Sequence, residues 1–202
     1  MVTLPRGSAG WTLVETLFVV AAVAVGLGLA VPSYTSAVER RTAVSAAEQF
    51  SDFVANARQL AVTRNRVVTV AVDATDAGGW CVGAGLGPEP CDCGAEEGPR
   101  ACRVGGVRQA LGAWEVGEVA IDAVGDAPAW RIDPTTGYKH GPDLVGDHRF
   151  RFSVGSGRAV TEVAVTASGL ATVCVPESAN AIGGVYRCTR DSGQEGGGAL
   201  AR

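Results

Sequence analysis

The 202-residue sequence is poor in the residues that carry most enzyme chemistry. Histidine occurs only as His140 and His148, and no serine lies in the G-x-S-x-G turn that exposes a catalytic nucleophile. A lone histidine in a loop is usually a solvated side chain. The sequence therefore predicts a protein that is not an enzyme and that has no cofactor.

Cation-binding and redox spacings are also missing. No two cysteines stand in a C-x-x-C pair, which argues against a dithiol redox role. Asp73 and Asp76 lack the regular acidic spacing of an EF-hand, so we expect a turn that ends a strand there. Lysine and arginine total 17 against 21 acidic residues. This balance disfavours nucleic acid as a partner, because phosphate binding needs clustered cations.

What the sequence does have is a long apolar run near its start. From Trp11 to Val31 there is no lysine or arginine, and Glu15 is the only ionisable side chain. About 20 apolar residues are enough to cross a bilayer as a helix. Arg6 precedes the run, which favours a cytoplasmic N-terminus and a body outside the cytoplasm. We therefore expect a single membrane pass.

The residues Gly10-Trp11-Thr12-Leu13-Val14-Glu15 resemble the type IV prepilin signature, although that family usually has Phe where Trp11 stands. The resemblance implies a leader of residues 1–10, cleaved between Gly10 and Trp11 by prepilin peptidase, and N-methylation of Trp11. It also implies a transmembrane and filament-core helix over residues 11–31. Pro32 resembles the proline that kinks the pilin helix.

Glu15 lies one helical turn from the new N-terminus. A plain anchor would merely let the carboxylate reach the headgroups. In a filament, however, the carboxylate can pair with the terminal ammonium of a neighbouring subunit. An unpaired buried charge costs several kcal/mol, so such pairing would favour insertion beside that neighbour.

Residues 32–64 continue the helix but become amphipathic. One stripe at helical spacing is apolar, and we expect it to pack on a sheet: Phe50, Phe53, Val54, Ala57, Leu60 and Ala61. Arg64-Asn65-Arg66 breaks the period, so the helix should run from Trp11 to about Thr63.

Residues 65–190 read as a β-rich domain, and residues 191–202 as a flexible tail. Turns are expected at Asp133–Gly137 and at Gly155-Ser156-Gly157. The predicted strands are Val67–Val72, Trp114–Ala123, Ala129–Ile132, His148–Val154, Ala159–Val165 and Leu170–Val175.

The order of these parts resembles the GspH/FimT family of minor pseudopilins. The matching stretches are RNRVVTVAV, a Cys-rich loop opening at Gly79-Trp80-Cys81, IDPTTG and VAVTASGLATVC. The resemblance implies an α+β, pilin-like fold with a long N-terminal helix packed on antiparallel β-sheet.

The resemblance also implies a place in the cell and a set of partners. The protein would sit in the bacterial inner membrane with its body in the periplasm. It would act at or near the tip of a type II secretion pseudopilus. Its partners would be other minor and major pseudopilins, prepilin peptidase and the inner-membrane assembly platform. The alternative is a FimT-like minor pilin that acts in the biogenesis of a type IV pilus. Some minor pilins of this type bind DNA during natural transformation.

The six cysteines suggest disulfides in an oxidising compartment. Cys174 with Cys188 is a plausible local bridge, and the other four could form two more, although sequence alone leaves 15 pairings open. A zinc site built from the same four stays an alternative, despite its poor spacing: Cys81, Cys91, Cys93 and Cys102.

DNA-binding members of this family carry a Gly-Arg-x-Arg motif near the C-terminus. The counterpart here, Gly169-Leu170-Ala171-Thr172, has no arginine. Tyr186, Arg187 and Arg190 could supply a stacking ring and two charges. Two arginines on an acidic protein are more often a solvated loop, so the sequence makes nucleic-acid binding unlikely.

Overall fold

A computed structural model of the chain divides into two compact units, which meet in sequence between Val38 and Glu39. The structure describes residues 12–74, 79–124, 129–140, 148–155, 157 and 159–188. The predicted leader and the tail of residues 191–202 lie outside these ranges, and the predicted domain boundaries stay predictions.

One helix, α1 (Leu13–Arg64), supplies 52 residues and agrees with the predicted span within two residues at its start and one at its end. Asn65 ends it in the left-handed conformation, with φ of 48°. The backbone N–H of Asn65 donates to Val62 O, and that of Arg66 donates to Ala61 O, both at 3.2 Å. This pair of bonds is a Schellman motif, which satisfies carbonyls that the end of a helix leaves open.

The apolar stripe of α1 packs into the core as predicted. Phe53 and Leu60 are partly buried and contact the core cluster. The remaining stripe residues are almost completely inaccessible to solvent: Phe50, Val54, Ala57 and Ala61.

The body that follows is made of short strands and one helical turn. In chain order the described elements are β1 (Val68–Ala74), β2 (Trp80–Leu86), β3 (Arg103–Val104), β4 (Val107–Arg108), β5 (Ala110–Gly112), α2 (Ala113–Val116), β6 (Val119–Val124), β7 (Ala129–Ile132), β8 (Lys139–His140), β9 (His148–Val154), β10 (Ala159–Val165) and β11 (Ala171–Cys174).

These strands form two main sheets in which every neighbouring pair is antiparallel. One sheet has the order β5-β2-β1-β7-β8, and the other has the order β11-β10-β9-β6. Strands β3 and β4 pair as a small separate hairpin. The predicted α+β fold, with a long N-terminal helix packed on antiparallel sheet, is confirmed.

Aromatic rings join α1 to both sheets. The Phe50 ring lies 5.0 Å from Phe150 and 5.4 Å from Phe152, both on β9. Trp80 on β2 lies 5.8 Å from Phe152, and its indole N–H donates to Val119 O at 2.7 Å. The two sheets therefore share one core with the helix.

Two hydrogen bonds also fix α1 to the four-stranded sheet. The Thr161 hydroxyl donates to Ala43 O at 2.9 Å, and the Ser51 hydroxyl donates to Ala171 O at 3.1 Å. Thr161 is fully buried. Each bond gives a hydroxyl group in the protein interior the hydrogen-bond partner that a buried polar group needs.

The predicted strands at Ala129–Ile132, His148–Val154 and Ala159–Val165 are confirmed. Strands β1 and β11 differ from their predictions by one or two residues at the ends. The turn between β9 and β10 has positive φ at Gly155 and Gly157, which glycine adopts without a Cβ clash.

Two parts of the prediction were wrong. The Cys-rich loop predicted to open at Gly79-Trp80-Cys81 begins instead with strand β2, and the part without a regular strand starts only after Leu86. Trp114 begins no strand, because Ala113–Val116 is a helical turn and Gly117, at φ of 86°, ends it before β6. Strands β3, β4, β5 and β8 were not predicted, since segments of two or three residues carry no periodicity.

Candidate assembly surface

The N-terminal part of α1 exposes a long series of large apolar side chains. Leu13 is 75% exposed and Phe18 is 78% exposed. Contiguous exposed apolar surface of this kind marks a site for another protein or a membrane. Among the residues that the structure describes, no helix combines the length and the apolar character that crossing a membrane requires.

Glu15 lies in the first turn of α1 with its side chain exposed. The backbone N–H of Glu15 donates to the hydroxyl oxygen of Thr12 at 3.3 Å, so Thr12 caps the start of the helix. A carboxylate at this end interacts favourably with the helix dipole. Gly10 and Trp11 lie outside the described residues. Pro32 lies inside α1, which continues past it, and the predicted kink stays a prediction.

All six cysteines are paired in the body. The bridges are Cys81–Cys93, Cys91–Cys102 and Cys174–Cys188. The first two interlace, since Cys91 lies between Cys81 and Cys93 in the chain. Disulfide sulfurs are not thiolates, so the alternative of a four-cysteine zinc site is wrong.

Strand β2 is shaped to hold the interlaced bridges. Trp80, Val82 and Ala84 point into the apolar core, whereas Cys81 belongs to a second cluster with Cys93 and Cys102. Gly83 and Gly85 follow Cys81 on the same face of the strand, next to the disulfides. A Cβ at Gly83 would overlap the Cys102 sulfur, and one at Gly85 would lie 3.1 Å from the Cys91 sulfur. The glycines that suggested a loop are therefore required by close packing in a strand.

Two acidic residues that the structure describes near these bridges, Asp73 and Glu162, have different surroundings. Asp73 lies in β1, one residue before its end, and Asp76 lies outside the described residues. Burial, and then the negative charge of Asp92, raise the pKa of the Asp73 carboxyl. Beside the Cys174–Cys188 bridge, Glu162 is buried and forms ion pairs with Arg149 at 3.3 Å and Arg151 at 3.7 Å.

Of the residues proposed for DNA contact, the structure describes Tyr186 and Arg187. Tyr186 is 84% exposed. The Arg187 guanidinium donates to three backbone carbonyls, those of Pro176, Glu177 and Ala179, at 2.8–3.3 Å. Arg190 lies outside the described residues. Arg187 therefore holds its own loop.

The two histidines have ordinary surroundings. His140 is exposed at the end of β8, and the His148 ring stacks on Trp130 with a centroid distance of 5.3 Å.

The comparison with protein families gives one match. The model of the family described as type II transport protein GspH matches residues 46–170, more than half of the chain. The search of curated proteins found no match, and neither did the search of solved structures. The matched range runs from the buried part of α1 to the turn before β11, and so covers most of the shared core. The chain belongs to the GspH family of type II transport proteins.

Proposed function

We propose that the chain is a minor pseudopilin, cleaved by prepilin peptidase between Gly10 and Trp11, that joins a periplasmic pseudopilus at or near its tip. The observation that carries this proposal is the pairing of two parts in one chain. A GspH-family body follows a helix that begins with the prepilin-like residues and exposes apolar side chains. The role is structural, in support of protein secretion.

The proposed location is the inner membrane, with one pass and the body in the periplasm. The apolar run from Trp11 to Val31 has the length of a membrane span, and Arg6 lies on its N-terminal side. Three disulfides fit the oxidising periplasm. Residues 11–31 would leave the bilayer for the filament core when the subunit is incorporated.

Glu15 would direct this incorporation by pairing with the N-terminal ammonium of a neighbouring subunit. Glu15 lies in the first helical turn of α1, and this position at the start of the helix supports the pairing. In an apolar filament core either charge alone costs several kcal/mol, so the pair strongly favours one axial position.

Mass spectrometry of the membrane-extracted protein tests the proposal. We expect a mature N-terminus at Trp11 that carries one added methyl group. A protein that begins at Met1, or beyond Val31, would refute the assignment.

The pairing has a separate test. Glu15→Gln keeps the shape of the side chain and removes its charge, and Thr16→Ala, one residue on, is the matched control. We expect both variants to be processed, and only Glu15→Gln to be depleted from sheared or crosslinked pseudopili. Normal incorporation of Glu15→Gln would eliminate charge pairing as the assembly device.

A DNA gel-shift with the full-length protein in detergent separates this role from DNA uptake. The three carbonyls that Arg187 Nη1 contacts hold this side chain against its own loop, which weighs against phosphate contact. We expect no salt-sensitive shift.

A further inference from the structure

A groove of about 440 Å³ lies between α1 and the turn that leads into β11. Ala55, Arg58 and Val62 line it from the helix, and Leu170 and Ala171 line it from the turn. The volume is within the range of sites that hold a small ligand or a few side chains. All of these residues belong to the same compact unit.

The rim of the groove is unusually apolar for exposed surface. Val62 is 49% exposed and Leu170 is 56% exposed, and they lie on opposite walls. Tyr138, which is 51% exposed, lies beside the groove, with its ring 5.9 Å from the Arg58 guanidinium carbon. Tyrosine and arginine are among the residue types enriched at the energetic centres of protein–protein interfaces.

Among the described residues that line the groove, Arg58 is the one cation, and the turn at Gly137 packs against its side chain. A Cβ at Gly137 would lie 2.6 Å from Arg58 Nε, so the turn packs closely against the arginine side chain. Gly137 also has a positive φ of 70°. Arg58 is half-buried, and among the residues that the structure describes its guanidinium contacts the Tyr138 ring rather than a carboxylate. A fixed cation of this kind is suited to a carboxylate supplied from outside.

We propose that this groove docks the body of a neighbouring pseudopilin subunit, which presents a carboxylate to Arg58 and an apolar side chain to the space between Val62 and Leu170. The inference rests on the proposed function, since it takes the chain to be part of a pseudopilus. Charge complementarity selects the occupant. A lone cation with an apolar rim suits an acidic and apolar protein segment, whereas a nucleic acid backbone requires several cations.

Photo-crosslinking in cells with an intact secretion apparatus tests the groove. A photoreactive residue replaces Val62 in the full-length protein, and the same replacement at Val107, 62% exposed on β4, is the control. We expect the groove position, and not the control, to crosslink to a sibling pseudopilin at a peptide that contains Asp or Glu. Arg58→Gln should lower the yield about fivefold, the upper range for a partly exposed ion pair, and Arg58→Lys should retain most of it.

Leu170→Glu provides a second variant, because it places a like charge beside the incoming carboxylate. It keeps the proposal testable if Arg58→Gln fails to form its disulfides. Full crosslinking in Leu170→Glu would overturn the proposal. Crosslinks confined to nucleic acid, or to residues 189–202 of the same chain, would also overturn it. The absence of any subunit crosslink would do the same, provided that the protein is cleaved at Trp11 and present in the pseudopilus. A protein that is not cleaved there refutes the proposed function instead.

Discussion

Replacing Gly83 with alanine should disrupt the interlaced disulfides. The new Cβ would overlap the Cys102 sulfur and lie 2.8 Å from Cys93 Cβ, so one atom from each bridge is in its way. The bridges close loops with sequence separations of 12 and 11 residues. In the chain-entropy account each such closure contributes about 2.8 kcal/mol to the free energy of unfolding. We therefore expect Gly83→Ala to lose about 3 kcal/mol if one bridge fails to close, and about 6 kcal/mol if both fail.

Thiol counting and denaturant unfolding together measure this effect. Mass spectrometry after alkylation without reductant should find no free thiol in the wild type and two or four in Gly83→Ala. Gly183→Ala is the matched control, because a Cβ there meets nothing within 4 Å. An oxidised Gly83→Ala protein with the unfolding free energy of the wild type would refute the packing argument.

Three further predictions concern the core, an acidic turn and the C-terminal loop. Phe50→Ala should lower the free energy of unfolding by about 3–5 kcal/mol in denaturant titrations, and by clearly more than Phe53→Ala, since Phe50 is fully buried between two rings. The backbone N–H of Thr136 is the main cause that holds the pKa of Asp133 below 3.8. The ionised Asp133 carboxylate therefore stabilises the fold above pH 3.8, and this contribution is lost as the pH falls through the lowered pKa of the folded state. A pKa of Asp133 at or above 3.8 in an NMR titration would contradict this. Arg187→Gln should accelerate amide exchange in the loop whose carbonyls it binds, and unchanged exchange would show that these bonds do not hold the loop.

The helix and the regular strands could be predicted because their patterns are long. The stripe that contains Phe50 and Val54 repeats over three helical turns, and the β-branched run in β1 has few alternatives to a strand. The resemblance of residues 10–15 to prepilins located the proposed assembly end directly. These features depend on local sequence, so no tertiary information was needed.

Strand β2 could not be predicted, because its glycines are required by contacts with residues that are distant in sequence. Gly83 and Gly85 normally disfavour a strand, and here they make room for sulfurs that arrive from residues 91 and 102. The groove around Arg58 could not be predicted from the sequence for the same reason. Arg58 becomes part of a groove only because Gly137 and Leu170, which are distant in sequence, lie next to it.

The two hydroxyl contacts between α1 and the four-stranded sheet have a mechanical consequence. Thr161 holds Ala43 and Ser51 holds Ala171, so the anchor points on the helix are eight residues apart, and the buried Phe50 ring lies between them. Moving this part of the helix relative to the sheet would have to break both bonds and disturb the packing of Phe50. A subunit pushed or pulled through α1 would therefore transmit the load to its body without the helix sliding on the sheet.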